Sequence, residues 1–282
     1  MTRVISANKI KDVVADLCLE ANFILRKDVL AALRSAFLKE RNNRAKDILA
    51  AIIQNARIAK REKLAICQDT GLACVFVEIG QGIRITGDLK SAINKGVESG
   101  YKKGSLRNSV VRDPLQRGKS GYQPAIIHID MAGGNKLKIT VLPKGFGCEN
   151  KTQLKMFRPT AKIEEIKKFI VEAVRASGPD ACPPYIVGVG IGGSADYACF
   201  LAKKALLRRV TTSPRHHVTS RISKIEQDLL KQINLLNIGP MGLGGKTTAL
   251  AVNIEIYPTH IAGLPVCVNI SCHALRSATA EI

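Results

Sequence analysis

The spacing of apolar residues changes once along the chain, and this change restricts the possible folds more than any other feature. Between residues 8 and 62 apolar residues recur at helical intervals, for example at Ile10, Val13 and Leu17, as in amphipathic helices. After this segment they occur in short β-branched runs such as 73–79, which predict strands. The sequence therefore predicts a mixed α/β (α+β) fold, in which an N-terminal helical segment precedes mixed sheets with flanking helices.

The same pattern places further elements along the chain, and polar stretches place the loops. Predicted helices cover 88–97, with Asp88 as N-cap, and 163–174, 194–207 and 222–235; predicted strands cover 125–131, 136–142, 185–190, 250–256 and 266–271. The strands 125–131 and 136–142 flank a Gly133-Gly134-Asn135 turn, which is typical of a β-hairpin. Gly-, Ser- and charge-rich composition predicts loops at 102–123, 143–150 and 209–220.

Length and cysteine usage indicate a globular protein with thiols rather than disulfides. The chain has 282 residues, of which 46% are hydrophobic, and this is enough for a buried core. No apolar run is long enough to span a bilayer, and the N-terminus is amphipathic rather than a signal peptide, so we expect a cytoplasmic location. Eight cysteines without a secretory signal favour free thiols or metal ligands.

The net charge of +20, from 43 Lys and Arg against 23 Asp and Glu, has three interpretations. A basic surface binds nucleic acid, attracts small dianions or complements an acidic partner subunit. The basic residues are scattered through every segment, and aromatic residues that could stack on bases make up only 4% of the chain. Nucleic-acid binding therefore ranks third.

Two glycine-rich motifs resemble nucleotide-binding sequences but lack essential parts. Gly188–Gly193 follows a predicted strand and opens a helix, as a dinucleotide fingerprint would, but no acidic residue closes a following strand at the required distance. We interpret these glycines as a site of close strand–helix packing. Gly244–Thr248 resembles the end of a phosphate-binding loop, but Pro240 stands where that motif needs glycine, and the segment leads from a helix into a strand.

The eight cysteines divide by position into two groups of four. Cys18, Cys74, Cys199 and Cys267 fall within helix or strand patterns and are interpreted as small buried hydrophobes. Cys67, Cys148, Cys182 and Cys272 fall at a turn, in a loop or next to a strand end, where ligands are usually presented. No compact CxxC spacing occurs, and spacing alone does not say which of these cysteines, if any, bind a metal.

Five segments resemble, in the same order, the class I (iron–sulfur) fumarate hydratases and the related L-tartrate dehydratases. They are Cys67-Gln-Asp-Thr-Gly71, the loop Lys144–Thr152, Ala181-Cys-Pro-Pro-Tyr185 followed by Gly192-Gly193, the stretch Gly244-Gly-Lys246, and His260 with Cys272 twelve positions later. Each segment is weakly specific by itself. Their common order over nearly the whole chain makes the resemblance specific.

The resemblance implies a 4Fe-4S cluster held by Cys67, Cys182 and Cys272. Three protein ligands for four irons leave one iron open as a Lewis acid. That iron would bind a substrate carboxylate and hydroxyl, and an air-exposed preparation could lack the cluster. The family commonly has Ser at the position of Cys148, which is therefore not expected to be a ligand.

The family's substrate contacts fall here on Gln68, Asp69, Arg107, Gly147 and His260, with Asp69 and His260 as catalytic residues. A guanidinium such as that of Arg107 pairs well with a carboxylate. Each residue also has a structural alternative. Asp69 could form a turn or cap a helix, Arg107 could be a solvated loop charge, and His260 could be a hydrogen-bonded buried histidine.

The resemblance further implies that residues 1–282 form a single cluster-binding domain, with a helical subregion at 1–62, that acts as an α subunit. In two-subunit members the remaining catalytic groups lie on a β subunit, so we expect an α₂β₂ assembly acting on a small dicarboxylate. The stretch Arg117–Pro124 replaces the Asn-Thr-Gly-rich loop expected for the family. This departure leaves the local substrate loop open.

The expected function is therefore the reversible hydration of fumarate to malate by the α subunit of a hydro-lyase. L-Tartrate dehydration by the same type of subunit is the first alternative. The second alternative is a non-catalytic iron–sulfur protein or a nucleic-acid-binding protein.

Overall fold

The computed structural model describes residues 2–210 and 220–282, so most of the predicted loop 209–220 lies outside the described residues. The helices are α1 (Ala7–Phe23), α2 (Lys27–Lys39), α3 (Asn43–Glu62), α4 (Leu89–Lys103), α5 (Phe146–Glu149), α6 (Ile163–Ser177), α7 (Ala195–Ala205) and α8 (Ser220–Asn234). The strands are β1 (Arg3–Ser6), β2 (Leu72–Gly80), β3 (Ile83–Thr86), β4 (Val110–Asp113), β5 (Arg117–Gly121), β6 (Ile126–Ala132), β7 (Leu137–Lys144), β8 (Gln153–Phe157), β9 (Tyr185–Gly193), β10 (Ala249–Thr259), β11 (Leu264–Ser271) and β12 (Ala278–Glu281). The predicted mixed α/β class is confirmed.

The chain divides into two compact units, each built from separate stretches of sequence. Unit 1 contains Met1–Arg26, Asn55–Phe146 and Arg276–Ile282, and unit 2 contains Lys27–Gln54 and Gly147–Leu275. The helical segment 1–62 is thus shared between the two units. That residues 1–282 act as one cluster-binding domain stays a prediction.

Unit 1 is built on a four-stranded sheet in the order β12-β7-β2-β6. Alternate residues of β2 and β7, such as Val75 and Ile139, are fully buried in one cluster with Ile10 of α1 and Ile93 of α4. Each fully buried side chain of this size contributes roughly 1.5–3 kcal/mol. The N-cap prediction is confirmed, because the Asp88 carboxylate accepts the N–H of the third residue of α4 at 2.9 Å.

The predicted β-hairpin across residues 133–135 is wrong, although both of its strands exist. β2 lies between them, pairing parallel with β6 and antiparallel with β7. A short glycine turn makes a hairpin possible, but the hydrophobic face of β2 has more to bury in the middle of the sheet than at its edge. The predicted loop 102–123 also contains a short hairpin, because β4 and β5 pair antiparallel.

Unit 2 contains a second four-stranded sheet, in the order β10-β9-β11-β8. β9 and β10 run parallel, and β11 runs antiparallel to both β9 and β8. Val187 and Val189 of β9 belong to the core cluster that includes α6 and α8. The alternating Gly188 and Gly190 face α7, where a Cβ atom would come within 2.1 Å of a helix carbonyl. The interpretation of these glycines as a close-packing site is confirmed.

The cysteines predicted to be core residues are buried, with one exception. Cys18, Cys74 and Cys267 are buried, whereas Cys199 is only half-buried. Burial raises the pKa of the Cys18 thiol to about 12, so that it stays neutral and unreactive. None of the eight cysteines forms a disulfide, as predicted. In the described part of the chain, no helix is long and apolar enough to cross a membrane.

Candidate functional site

The segment Cys67–Gly71 connects α3 to β2 in unit 1, and main-chain donors hold its carboxylate. Asp69 Oδ1 accepts the N–H of Gly71 at 3.0 Å, and Oδ2 accepts the N–H of Phe146 at 2.8 Å. Gly71 has φ +76°, and a Cβ there would lie 2.8 Å from the Lys144 main chain. Only glycine fits such a position without strain. Asp69 therefore does form the turn, and its orientation is set by the same bonds.

Two hydroxyl groups tie this segment to the rest of unit 1. The buried Tyr101 hydroxyl donates to the carbonyls of Thr70 and Gly71, at 2.9 and 3.2 Å. The Thr70 hydroxyl accepts the N–H of Arg107 at 3.0 Å and contacts its carbonyl oxygen at 3.4 Å. The main chain of Arg107 is thereby fixed beside Thr70, while the Arg107 side chain is exposed.

Unit 1 thus brings together four of the residues predicted from the sequence. Cys67 is half-buried, and its sulfur lies 3.4 Å from the side-chain oxygen of the exposed Gln68. Asp69 lies in the same segment, and the main chain of Arg107 is hydrogen-bonded to Thr70 of that segment. We call these four residues the signature cluster.

Unit 2 brings together two further predicted residues, Cys182 and Cys272. The carbonyl of Cys182 accepts the main-chain N–H of His273 at 3.4 Å, and the His273 ring nitrogen Nδ1 lies 3.0 Å from the same oxygen. Cys272 directly precedes His273 and follows the last residue of β11. Both thiols are half-buried. We call Cys182 and Cys272 the cysteine pair.

Gly147 and Cys148 lie in the short helix α5. Cys148 is buried and donates its thiol hydrogen to the carbonyl of Ala181, at 3.3 Å. The predicted ligand Cys182 directly follows Ala181, so Cys148 is a third thiol near the cysteine pair. Gly147 is exposed, and a Cβ there would meet nothing closer than 3.9 Å. Packing within the chain therefore does not require glycine at position 147.

His260 lies at the opposite end of the unit 2 sheet from the cysteine pair. It is exposed in the turn between β10 and β11, where its Nδ1 accepts the N–H of Ala262 at 3.2 Å. β11 runs from Leu264 to Ser271, a length of about 23 Å at the usual rise of an extended strand. The structural alternative of a buried histidine is wrong, and His260 is not brought together with Cys182 and Cys272 of its own chain.

The stretch Gly244–Lys246, which also carries the family resemblance, is anchored by the buried Glu40. Its carboxylate accepts the N–H of Lys246 at 2.8 Å, and also those of Arg41 and Asn42. Burial favours a higher pKa for Glu40, but these N–H donors and the Lys246 charge together hold its pKa below the usual value. Glu40 is therefore ionised at neutral pH and serves a structural purpose here.

The donor chemistry of the three predicted ligands fits an iron–sulfur cluster. Cys67, Cys182 and Cys272 are all half-buried at a turn or strand end, unlike the buried core thiols. Thiolates are the usual ligands of such clusters. Within the described residues, no group of three or more His, Cys, Asp or Glu side chains is assembled to hold a metal ion.

Three residues that support the signature cluster could not be identified from the sequence. Thr70 and Tyr101 act through hydroxyl bonds to the main chain of distant residues. Arg276 donates from Nη2 to the carbonyl of Asp69 at 2.7 Å. Thr70 stands inside a recognisable motif, but Tyr101 and Arg276 carry no sequence signal that separates them from ordinary helix and loop residues.

A half-buried thiol and carboxylate in one segment, with an exposed amide and an exposed arginine anchored to that segment, suit an enzyme that acts on a small anion. The model of the family "Fumarate hydratase (Fumerase)" matches residues 11–281. The chain therefore belongs to the fumarate hydratase family, and its reaction class is that of a hydro-lyase.

Curated relatives match over almost their whole length. A protein of Methanocaldococcus jannaschii, provisionally named as an L(+)-tartrate dehydratase subunit alpha, is 43% identical over 97% of this chain and 98% of its own. The L(+)-tartrate dehydratase subunit alpha of Escherichia coli strain UTI89 is 30% identical over 98% of this chain and 92% of its own. That of strain K12 is 30% identical over 97% and 91%.

Proposed function

We propose that this chain is the α subunit of a 4Fe-4S hydro-lyase that interconverts fumarate and malate. The observation that carries the proposal is the signature cluster, in which main-chain N–H groups hold the Asp69 carboxylate and the Thr70 hydroxyl holds the main chain of Arg107. Groups that are fixed before the substrate binds lower the cost of reaching the reactive geometry.

In this proposal each predicted substrate contact has one task toward a C4 dicarboxylate. The Arg107 guanidinium pairs with one carboxylate of the substrate, while Gln68 donates through its amide and Gly147 through its main-chain N–H. Asp69 accepts or orients the proton that leaves the carbon next to the hydroxyl-bearing carbon. The net charge of +20 raises the local concentration of a dianion.

Cys67, Cys182 and Cys272 would hold the cluster through their thiolates. When bound, the cluster would supply an open iron as a Lewis acid that polarises the substrate hydroxyl. The remaining five cysteines are left out of the ligand set: four belong to the core or its edge, and the thiol of Cys148 is directed to a main-chain carbonyl.

A substrate contact by His260 is compatible with this geometry only if the residue comes from another copy of the chain. The length of β11 separates His260 from the cysteine pair of its own unit by about 23 Å. A second copy within an α₂β₂ assembly could supply it. The β subunit is proposed because the named relatives are alpha subunits.

L-Tartrate is the second candidate substrate, and the names of the relatives favour it. Fumarate and tartrate chemistry share the same step, the making or breaking of a carbon–oxygen bond beside a carboxylate. Both substrates carry two carboxylates, so the signature cluster suits either.

The test is anaerobic purification of the chain with its β partner, followed by iron and sulfide analysis and by assays on malate, fumarate and L-tartrate. We expect about four irons per αβ unit and hydration or dehydration of at least one substrate. Separate Cys67→Ser, Cys182→Ser and Cys272→Ser variants should lose iron and activity together.

Cys199→Ser is the matched control, because Cys199 is also half-buried but lies outside the proposed ligand set. It should keep both iron and activity. A complex without iron, or one that converts none of the three substrates, would contradict the proposed hydro-lyase function. Equal iron loss in the control would show that the ligand assignment is wrong.

A further inference from the structure

We infer that Arg276 is a positioning residue that holds Asp69 in place and supplies a buried positive charge for the anion bound at the signature cluster. The inference rests on the proposed function, because it takes a dicarboxylate as the bound anion. Arg276 belongs to unit 1, as do Asp69 and the other residues of the signature cluster.

Arg276 is among the most deeply buried charged residues of the chain, with 3% of its surface exposed. Its Nη2 donates to the carbonyl of Asp69 at 2.7 Å, and its Nη1 lies 3.5 Å from the side-chain oxygen of Asn22. Its Nε is buried and has no hydrogen-bond partner among the described residues. The Arg276 side chain thus donates one short hydrogen bond to a main-chain oxygen and one long hydrogen bond to an amide oxygen, and its Nε donor forms none.

Within the described part of the chain, Arg276 forms no ion pair with a carboxylate. A buried charge without a counter-ion is costly. A buried donor without a partner in a native structure also calls for an explanation, such as a bound ion or a functional role. By contrast, the largely buried Arg208 of unit 2 pairs with both Glu226 and Glu255. The absence of such a pair at Arg276 is therefore not general to buried arginines of this protein.

The positive charge of Arg276 lies close to the signature cluster. A Cβ atom on Gly145 would lie 3.1 Å from Asp69 Oδ2 and 3.8 Å from Arg276 Nη2, so the carboxylate and the guanidinium border the same small space. Asp69 is thereby fixed at three points: its carbonyl by Arg276, and its two carboxylate oxygens by the N–H groups of Gly71 and Phe146.

Two consequences follow for a bound dicarboxylate. First, the fixed main chain of Asp69 restricts the position of the neighbouring Gln68. Second, the buried charge of Arg276 attracts the dianion through a medium of lower dielectric constant than water. Arg276 is itself inaccessible to substrate, so its loss should weaken anion binding more than it slows the chemical step.

The test compares Arg276→Lys, which keeps the charge, with Arg276→Gln, which keeps a donor but not the charge, in the αβ complex. The first readout is the Kd of succinate, an unreactive dicarboxylate, measured by calorimetry on the metal-free complex. The second is the separation of KM from kcat in the iron-loaded complex. We expect Arg276→Gln to raise Kd and KM by about tenfold with kcat changed far less, and Arg276→Lys to recover most of the loss.

Arg208→Gln is the control, because it removes a buried arginine from unit 2 and should leave succinate binding unchanged whatever it does to stability. Equal Kd values for Arg276→Gln and wild type would overturn the inference, as would equal losses in Arg276→Lys and Arg276→Gln. If the wild type is active and the variants bind normally, the inference alone fails. If the wild type binds no dicarboxylate and converts no substrate, the proposed function fails with it.

Discussion

The segment Cys67–Gly71 in unit 1 and the His260 turn in unit 2 have similar support from family resemblance but very different structural support. The segment is held by the buried hydroxyl of Tyr101, by Thr70 and by the buried guanidinium of Arg276. The His260 turn is closed by bonds among its own residues and by the Thr259 hydroxyl, and the adjacent Ile261 is 88% exposed.

This difference in structural support indicates that the segment Cys67–Gly71 and the His260 turn have different functions. A preorganised segment suits the chemistry of a reaction, because its geometry exists before the substrate arrives. An exposed turn with a large apolar side chain at its tip has few contacts to orient it in the isolated chain. We therefore expect substitutions in the segment to affect folding and activity together, and substitutions in the turn to affect activity in the assembly alone.

The largest effect is expected for Asp69→Asn in the αβ complex. The amide can accept only one of the two main-chain N–H groups that the carboxylate now accepts, and it cannot take up a proton. We expect kcat/KM to fall by about 100-fold or more. Asp16→Asn, at an exposed position of α1, is the control and should keep wild-type activity. Nearly full activity of the Asp69→Asn complex would show that the segment Cys67–Gly71 does not supply a catalytic carboxylate.

An intermediate effect is expected for Tyr101→Phe, which removes the donor to the Thr70 and Gly71 carbonyls. Two buried acceptors then lose a partner, and we expect the free energy of unfolding to fall by about 1–3 kcal/mol. Chemical denaturation of the isolated chain measures this. Tyr257→Phe, at a half-exposed position, should change stability by less than about 0.5 kcal/mol. Equal losses in both variants would show that the segment is not anchored as described.

The smallest effect on folding is expected for His260→Ala. The side chain is exposed and accepts a single N–H within its own turn, so the free energy of unfolding should change by about 0.5 kcal/mol or less. The informative measurement is activity in a mixture of His260→Ala and Cys182→Ser chains with the β partner. If His260 acts on the site of another copy, mixed assemblies should regain activity that neither variant has alone, and no recovery would argue against that arrangement.

Local patterns predict most helices and the longer strands of this chain, but neither the short strands nor which strands pair. The N-terminal helical segment and the individual strands β6 and β7 follow from residue spacing. The pairing of β6 and β7 with β2 rather than with each other depends on residues fifty or more positions away. The Gly133-Gly134-Asn135 turn is compatible with either arrangement, so a local signal cannot choose between them.

The candidate site divides in the same way. Cys67, Asp69 and Arg107 are predicted from family resemblance, and in unit 1 the main chain of Arg107 is bonded to the segment that carries the other two. The supporting Tyr101 and Arg276 were not predicted, because a buried tyrosine or arginine becomes meaningful only when the atoms it contacts are known.

Residue type and local spacing are enough to predict the mixed α/β class, most helices, the longer strands, and the family resemblance with its thiol, carboxylate and guanidinium motifs. The strand order, the separation of His260 from the cysteine pair and the burial of Arg276 next to Asp69 appear only in the folded chain. These features depend on which distant residues pack together and exclude water, and the local spacing of residues does not determine those contacts.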